Sequence, residues 1–204
     1  LGNLYRRLGL RRTYARKKVV KEEKTAPKAV AGAFLDDAMR EALSPVLARF
    51  EKPLLLRVSS DGTLLADEAE SLVRELASLS DALSYEVVRE GNPDVTISIC
   101  SAEGKDLGLR FHGVPGGHEF NSFILALYNA AGPGQDVGEA LQQRIEGISH
   151  DIHIDIAVSL SCTMCPDLVA AAERIAADND HVSVDVYDLA HYPDMQKKYN
   201  IMSV

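Results

Sequence analysis

The chain has 204 residues, of which 46% are apolar and 25% charged, and its formal net charge is −8. No apolar run approaches the roughly 20 residues that a bilayer span needs, so we predict neither a membrane helix nor a signal peptide. Residues 1–28 hold ten Lys or Arg against two Glu, so the rest of the chain is strongly acidic. We interpret residues 1–33 as a basic arm or linker, and predict no nucleic-acid partner and no membrane partner for the acidic body.

Helices and strands alternate in the first predicted unit, residues 34–134. Apolar residues at helical spacing predict helices at about 34–50, 66–79 and 118–130. Apolar runs of strand length predict strands at about 54–58 and 83–88, and an alternating run followed by a hairpin turn predicts strands at about 95–100 and 107–112. The Gly-Pro-Gly sequence at 132–134 ends the unit.

The same pattern starts again in the second predicted unit, residues 135–204. It predicts a helix at about 136–148, a strand at 153–158, a helix after Cys165 and a strand at 182–186. The strand at 54–59 matches the strand at 154–159 at an offset of 100 residues. Such a repeat indicates duplication of a strand-helix-strand unit with parallel neighbours, so we predict an α/β protein made of two fused halves.

Three cysteines with one close pair are not the disulfide framework of a small secreted protein. Cys162 and Cys165 lie where a predicted strand gives way to a helix, with Pro166 in its first turn. The positive end of the helix dipole favours a thiolate, which supplies a nucleophile for thiol–disulfide exchange. We therefore predict that Cys162 is exposed and attacks, and that Cys165 is shielded and resolves. The equivalent turn of the first unit, residues 59–62, has no thiol.

Two other interpretations of the cysteine pair stay open. His150 and His153 could join Cys162 and Cys165 as a zinc ligand set, although a strand would disperse the histidines. Alternatively, both cysteines are buried and inert, as we expect for Cys100 on a predicted strand. In either case the chain would be a non-catalytic docking module with structural or zinc-bound cysteines.

Motifs in both units resemble one known family. Residues 117–122 (Gly-His-Glu-Phe-Asn-Ser), the helix 123–128, the break at 132–133 and residues 159–167 (Ser-Leu-Ser-Cys-Thr-Met-Cys-Pro-Asp) are similar to the N-terminal domain of the F subunit of bacterial alkyl hydroperoxide reductase. The similarity covers about residues 34–204. It implies two fused thioredoxin-like folds, of which only the second keeps the dithiol.

The resemblance also implies a function. The family's domain relays electrons from a flavoprotein reductase module to a peroxiredoxin, which implies peroxide reduction in the cytoplasm. FAD and NAD(P)H are expected in that attached or partner module and no cofactor in this chain, where no GxGxxG motif occurs. A free-standing enzyme that uses glutathione fits less well, because one half lacks the dithiol.

Glu119 is a second site residue that the resemblance implies. It would start a helix that faces the dithiol, where a carboxylate would raise a cysteine pKa or handle its proton. The alternative is that an acid in the first helical turn only stabilises that helix. The dipeptide Thr163-Met164 departs from the family's usual His-Asn, which bears on redox potential and partner preference.

The end of the chain carries a further expectation. Residues 199–204 resemble the segment before the cis-proline of a thioredoxin fold. We therefore expect the second fold to be truncated here, and the natural polypeptide to continue with Pro, two strands and a helix. Pro93 has the same relation to the strand 95–100, so it is expected to be the cis-proline of the first fold.

Overall fold

The computed structural model describes residues 34–89 and 94–204. The basic arm and Pro93 therefore lie outside the described residues. The helices of the described part are α1 (Asp37–Leu47), α2 (Leu64–Leu79), α3 (Glu119–Ala131), α4 (Glu139–Glu146), α5 (Cys165–Asp178) and α6 (Pro193–Tyr199). Its strands are β1 (Leu54–Ser59), β2 (Leu83–Val88), β3 (Thr96–Ser101), β4 (Asp106–His112), β5 (Ile152–Val158) and β6 (Val182–Asp188).

Local sequence signals set where two of the helices begin. Helix α1 starts after Asp36, whose carboxylate accepts the Met39 N–H at 2.7 Å. Helix α5 starts at Cys165 with Pro166 in its first turn, where the missing N–H of proline costs no helical hydrogen bond. The start of α5 is thereby placed directly behind the turn that holds Cys162.

All six described strands form one sheet in the order β2-β1-β3-β4-β6-β5. The pairs β1–β2 and β5–β6 are parallel and are each connected through a helix, α2 in one case and α5 in the other. Strand β3 is antiparallel to β1 and β4, and β4 is parallel to β6. The predicted repeat of a strand-helix-strand unit is confirmed, and the two halves join through the β4–β6 pair.

One face of the sheet carries the core. The strand pairing places apolar residues in continuous rows across all six strands, and one such row is Val87, Val58, Ile97, Phe111, Val186 and Ile156. Helices α2, α3 and α5 pack on this face, and the buried residues of both halves form a single hydrophobic cluster. Because the core is continuous, the helix that carries the dithiol is fixed by residues of both halves.

The opposite face carries cross-strand ion pairs. Arg57 Nε donates to Glu86 at 2.5 Å, and Arg110 donates to Asp185 at 3.0 Å. His112 Nε2 lies 2.6 Å from Asp185, a carboxylate that is almost fully buried. Burial acts to raise the pKa of Asp185, but the His112 hydrogen bond and the Arg110 charge outweigh it and lower that pKa. Asp185 of β6 thus ties the second half to β4 of the first.

Most predicted elements lie within three residues of the observed ones, and two differences matter. The predicted helix at 136–148 is shorter, because Gly138 has a φ of 75° before the first turn and Gly147 caps the last. The sequence pattern does not predict helix α6. That helix has seven residues and buries only Met195, too little for a visible apolar period. The cis peptide bond of the described residues precedes Pro133.

Candidate functional site

The cysteine pair lies at the junction between β5 and α5, as the sequence predicts. Cys162 is in the turn after β5, Cys165 is the first residue of α5, and a disulfide bond joins them. The Cys165 backbone N–H points at Cys162 Sγ, with 3.1 Å between nitrogen and sulfur. An N–H at the start of a helix stabilises negative charge on that sulfur once the disulfide is reduced.

The two cysteines are buried to a similar extent. Both are half-buried, and Cys165 packs against the hydrophobic core. Cys162 is therefore less exposed than predicted, with its sulfur bonded to Cys165 and 3.1 Å from the Cys165 nitrogen. The loop between them projects outward, with Met164 73% exposed. The order of attack stays a prediction, since these exposures do not separate the two sulfurs.

The start of α3 lies against the loop that leads to Cys162. The His118 backbone N–H donates to the Leu160 carbonyl at 3.1 Å. Gly117 has a φ of 53°, and a Cβ atom there would overlap the same carbonyl oxygen. Glycine is therefore required for this close approach. The helix that bears Glu119 thus begins beside the loop that leads to the dithiol.

Glu119 is fully buried in the first turn of α3. It accepts a hydrogen bond from Ser122 Oγ at 2.6 Å, whereas its Oε1 has no hydrogen-bond partner among the described residues. Burial raises its pKa, against the opposing effects of the Ser122 hydrogen bond and the His118 charge. A carboxyl that only stabilised its helix would gain by staying in water, so this burial favours a role beyond the helix.

Glu173 is a buried acid of α5 that sequence reasoning missed. It lies on α5 in the same buried stripe as Val169, Ala172 and Ala176, and is 2% exposed. Burial raises its pKa well above the ordinary value, and the charge of Glu119 raises it further. Its position four residues after Val169 was the available signal, because that spacing places an acid on the apolar face of the helix.

No group of three or more His, Cys, Asp or Glu side chains that could hold a metal ion occurs among residues 34–89 and 94–204. His153 of the zinc alternative lies on β5, where its ring nitrogens contact Ser183 and Asp155. Cys100 is free and fully buried on β3, as expected of the inert cysteine. In the same part of the chain, no helix combines the length and apolarity that crossing a membrane requires.

Comparison with known proteins agrees with this geometry. A family model described as a thioredoxin domain matches residues 152–204. A solved structure of the N-terminal domain of alkylhydroperoxide reductase AhpF from Enterococcus faecalis is 33% identical, with a TM-score of 0.78. That alignment covers 83% of this chain and 87% of the solved one. The chain belongs to the AhpF family of alkyl hydroperoxide reductases.

Relatives of full length show how much of the family protein is present. The AhpF relative of Xanthomonas campestris pv. phaseoli is 32% identical over 170 residues, which are 83% of this chain and 32% of the relative. A protein named NADH dehydrogenase from Bacillus subtilis is also 32% identical, over 83% of this chain and 33% of its own length. The chain thus spans about a third of the length of the curated relatives it matches.

The fold extends beyond the AhpF family. A protein disulfide oxidoreductase from Aeropyrum pernix, 19% identical with a TM-score of 0.71, shares it over 83% of this chain and 81% of its own. The predicted thioredoxin-like α/β fold is confirmed. The thioredoxin-like domain and its disulfide-bonded cysteine pair together support a redox role for this member of the AhpF family.

Proposed function

We propose that this chain is an electron relay that works by dithiol–disulfide exchange in the cytoplasm. It takes electrons from a flavoprotein reductase module that binds FAD and NAD(P)H, and passes them to a peroxiredoxin. Membership of the AhpF family supports this assignment. The observation that carries it is the disulfide at the start of α5, where the Cys165 N–H points at Cys162 Sγ.

The proposed relay has two exchange steps. A thiolate of the reductase module attacks Cys162 Sγ, the bond to Cys165 breaks, and Cys165 leaves with the electron pair and takes up a proton. The second thiol of the module then attacks the mixed disulfide, loses its proton and releases Cys162 as a thiolate. The module is oxidised to a disulfide and this chain is reduced to a dithiol. The same two steps run in the opposite direction on the disulfide of the peroxiredoxin.

The structure supports distinct roles for three residues. We assign attack to Cys162, because the N–H at the start of α5 stabilises its thiolate. Cys165 is assigned as the resolving thiol. Glu119 is assigned to proton handling, because it is a buried carboxyl of raised pKa in the helix that begins against the dithiol loop.

Single cysteine variants test the relay through the partners they trap. Cys165→Ser lacks the resolving thiol and is expected to accumulate mixed disulfides between Cys162 and a peroxiredoxin or a dithiol flavoprotein. Cys162→Ser is expected to trap neither. The measurement is covalent capture from cell lysate, elution with reductant and identification by mass spectrometry.

The double variant Cys162→Ser/Cys165→Ser is the matched control, because it keeps only the buried Cys100. A partner trapped by Cys162→Ser and not by Cys165→Ser would reverse the order of attack. The relay itself would be refuted if neither single variant traps a partner, or if purified protein keeps stoichiometric zinc through dialysis.

A further inference from the structure

Two large apolar side chains are exposed beside the disulfide. Met164, between the two cysteines, is 73% exposed, and Leu168, near the start of α5, is 62% exposed. Neither belongs to the hydrophobic cluster of the described residues or packs against it. A single exposed apolar residue is ordinary, but adjoining ones beside a reactive group mark a contact surface.

Helix geometry places these two side chains together. Met164 has helical backbone angles, φ −100° and ψ −20°, and directly precedes Cys165, the first residue of α5. Residues four apart on a helix lie on one face, so Met164 and Leu168 form one apolar strip. Cys165 is three residues before Leu168, so their Cβ atoms lie about 5–6 Å apart. Val169, the next residue, is fully buried in the core. The apolar strip thus borders the disulfide on its solvent side.

The chemistry of the disulfide determines what covers the apolar strip. In thiol–disulfide exchange, a sulfur of the partner is bonded to a sulfur of this chain at about 2 Å. The partner residues next to that cysteine then lie against Met164 and Leu168. An apolar partner residue removes apolar surface from water on both sides, whereas a polar one loses its own hydration.

The charge beside the apolar strip is negative. Asp167 is exposed in the first turn of α5. It is the only charged residue of the segment 157–170. The whole chain has a net charge of −8, and the part that follows the basic arm is more acidic still. A basic partner residue is therefore attracted to this surface and an acidic one is repelled.

We propose that Met164 and Leu168 form the contact surface for the partner of the dithiol. This surface selects a partner segment whose reactive cysteine is flanked by an apolar and a basic residue. Such a segment places its apolar side chain on the strip and its cation near Asp167. The proposal rests on the dithiol exchange proposed above, and it adds which kind of segment exchanges fastest.

Disulfide-linked peptide dimers probe this surface, because attack on either sulfur gives the same products. The Cys162 thiolate attacks one peptide sulfur, the peptide disulfide breaks, and the first peptide leaves as a thiolate that takes up a proton. Cys165 then loses its proton and attacks Cys162 Sγ, and the second peptide leaves in the same way. The chain ends as a disulfide and two peptide thiols are formed.

The peptides differ only in the residues beside the cysteine, which are leucine and lysine, leucine and glutamate, or serine on both sides. The measurement is the second-order rate constant for release of peptide thiol by the reduced full chain in a single turnover. Each value is divided by the rate constant of the same protein with hydroxyethyl disulfide, a small uncharged disulfide that reports the reactivity of the dithiol. It is also divided by the rate constant of the same peptide with dithiothreitol, which corrects for the reactivity of the peptide.

The variants Met164→Gln and Leu168→Gln remove the apolar character of the strip at similar size. Met164→Leu restores it at the first position. Leu64→Gln is the matched control, because Leu64 is 82% exposed at the start of α2, the equivalent helix of the first half. Asp167→Asn removes the negative charge.

Wild type is expected to react about tenfold faster with the leucine–lysine peptide than with the serine peptide, and at an intermediate rate with the leucine–glutamate peptide. Met164→Gln and Leu168→Gln are each expected to reduce the preference for leucine by about three- to tenfold. Met164→Leu and Leu64→Gln are expected to keep it. Asp167→Asn, or about 0.5 M salt, is expected to equalise the lysine and glutamate peptides while the preference for leucine remains.

The contact surface would be refuted if the leucine and serine peptides reacted at equal corrected rates, or if Leu64→Gln lost as much preference as Leu168→Gln. Equal corrected rates for the lysine and glutamate peptides in wild type would refute the selection of a basic residue. These results are separate from the relay. Trapping of a peroxiredoxin or a flavoprotein without any peptide preference removes only this inference, whereas a peptide preference without a trapped partner removes only the relay.

Discussion

The three cysteines of this chain lie in different environments. Cys100 is enclosed on β3, and burial raises the pKa of its thiol to about 11, so it stays protonated at neutral pH. Cys162 has the opposite environment, with the N–H of Cys165 at 3.1 Å from its sulfur. One residue type is thereby inert at one position and suited to exchange at another, because burial keeps Cys100 protonated whereas a backbone N–H favours the Cys162 thiolate.

Glu173 supplies a prediction about stability and pH. Its folded-state pKa is raised above the ordinary 4.5, so the folded state holds its proton more tightly than the unfolded state does. The stabilisation is complete below pH 4.5 and is lost as the pH rises toward the folded-state pKa. Glu173→Gln removes this loss, so it is expected to become more stable than wild type as the pH rises, by at most about 1.4 kcal/mol per pH unit.

Urea unfolding of both proteins at several pH values from 4 to 8 measures this difference. Asp167→Asn serves as the control, because it replaces an exposed acid in the first turn of the same helix. A gap between wild type and Glu173→Gln that stays constant from pH 4 to pH 8 would contradict a raised pKa for Glu173.

Between elements, the turns that follow β1 and β5 differ although both connect a strand to a helix. The turn after β1 is closed by Asp61, whose carboxylate accepts both the N–H and the hydroxyl of Thr63. The turn after β5 instead holds the disulfide and meets the start of α3. The same strand-turn-helix element thus serves as a plain connection in the first half and as the candidate redox site in the second.

Gly117 supplies a prediction about how α3 meets that turn. Gly117→Ala would place a Cβ atom on the Leu160 carbonyl oxygen, in a backbone conformation that already disfavours side chains. It is expected to destabilise the protein by about 1–3 kcal/mol more than Gly62→Ala. Gly62 is the matched control, because it also has a positive φ of 81° but nothing within 4 Å of the added Cβ.

Chemical denaturation measures both glycine variants. A second readout is the alkylation rate of Cys162 in the reduced folded protein, which is expected to change in Gly117→Ala only, since the displaced loop carries that cysteine. Equal losses of stability in the two variants would show that the close contact between position 117 and the Leu160 carbonyl does not affect stability.

The sequence was informative where a residue's neighbours along the chain decide its structure. Apolar runs of strand length predicted β1 and β5, and Pro166 after Cys165 marked the start of α5. The sequence carried no comparable signal for contacts between elements that are distant along the chain. The effect of the Glu119 charge on Glu173 depends on how α3 packs against α5, and the pairing of Asp185 with Arg110 depends on how β6 meets β4. Both belong to the arrangement of the two halves and not to any local pattern.

At the scale of the whole molecule, the two predicted units, residues 34–134 and 135–204, share one sheet. Strand β4 of the first pairs with β6 of the second, and Leu109, Phe111, Val184 and Val186 form adjoining parts of one buried cluster. The Arg110–Asp185 pair and the His112–Asp185 pair cross the same junction on the other face. Separating the units would expose both the apolar row and the buried carboxylate.

We therefore expect residues 34–204 to unfold in a single cooperative transition and not unit by unit. Alkylation of Cys100 reports on β3 in the first unit, and peptide-resolved hydrogen exchange of β6 reports on the second. Both are expected to follow the same denaturant midpoint as circular dichroism, because neither site opens without loss of the shared sheet. If β6 exchanged at a clearly lower denaturant concentration than that at which Cys100 becomes reactive, the units would be independent domains, and the β4–β6 junction would contribute little to the stability of the dithiol site.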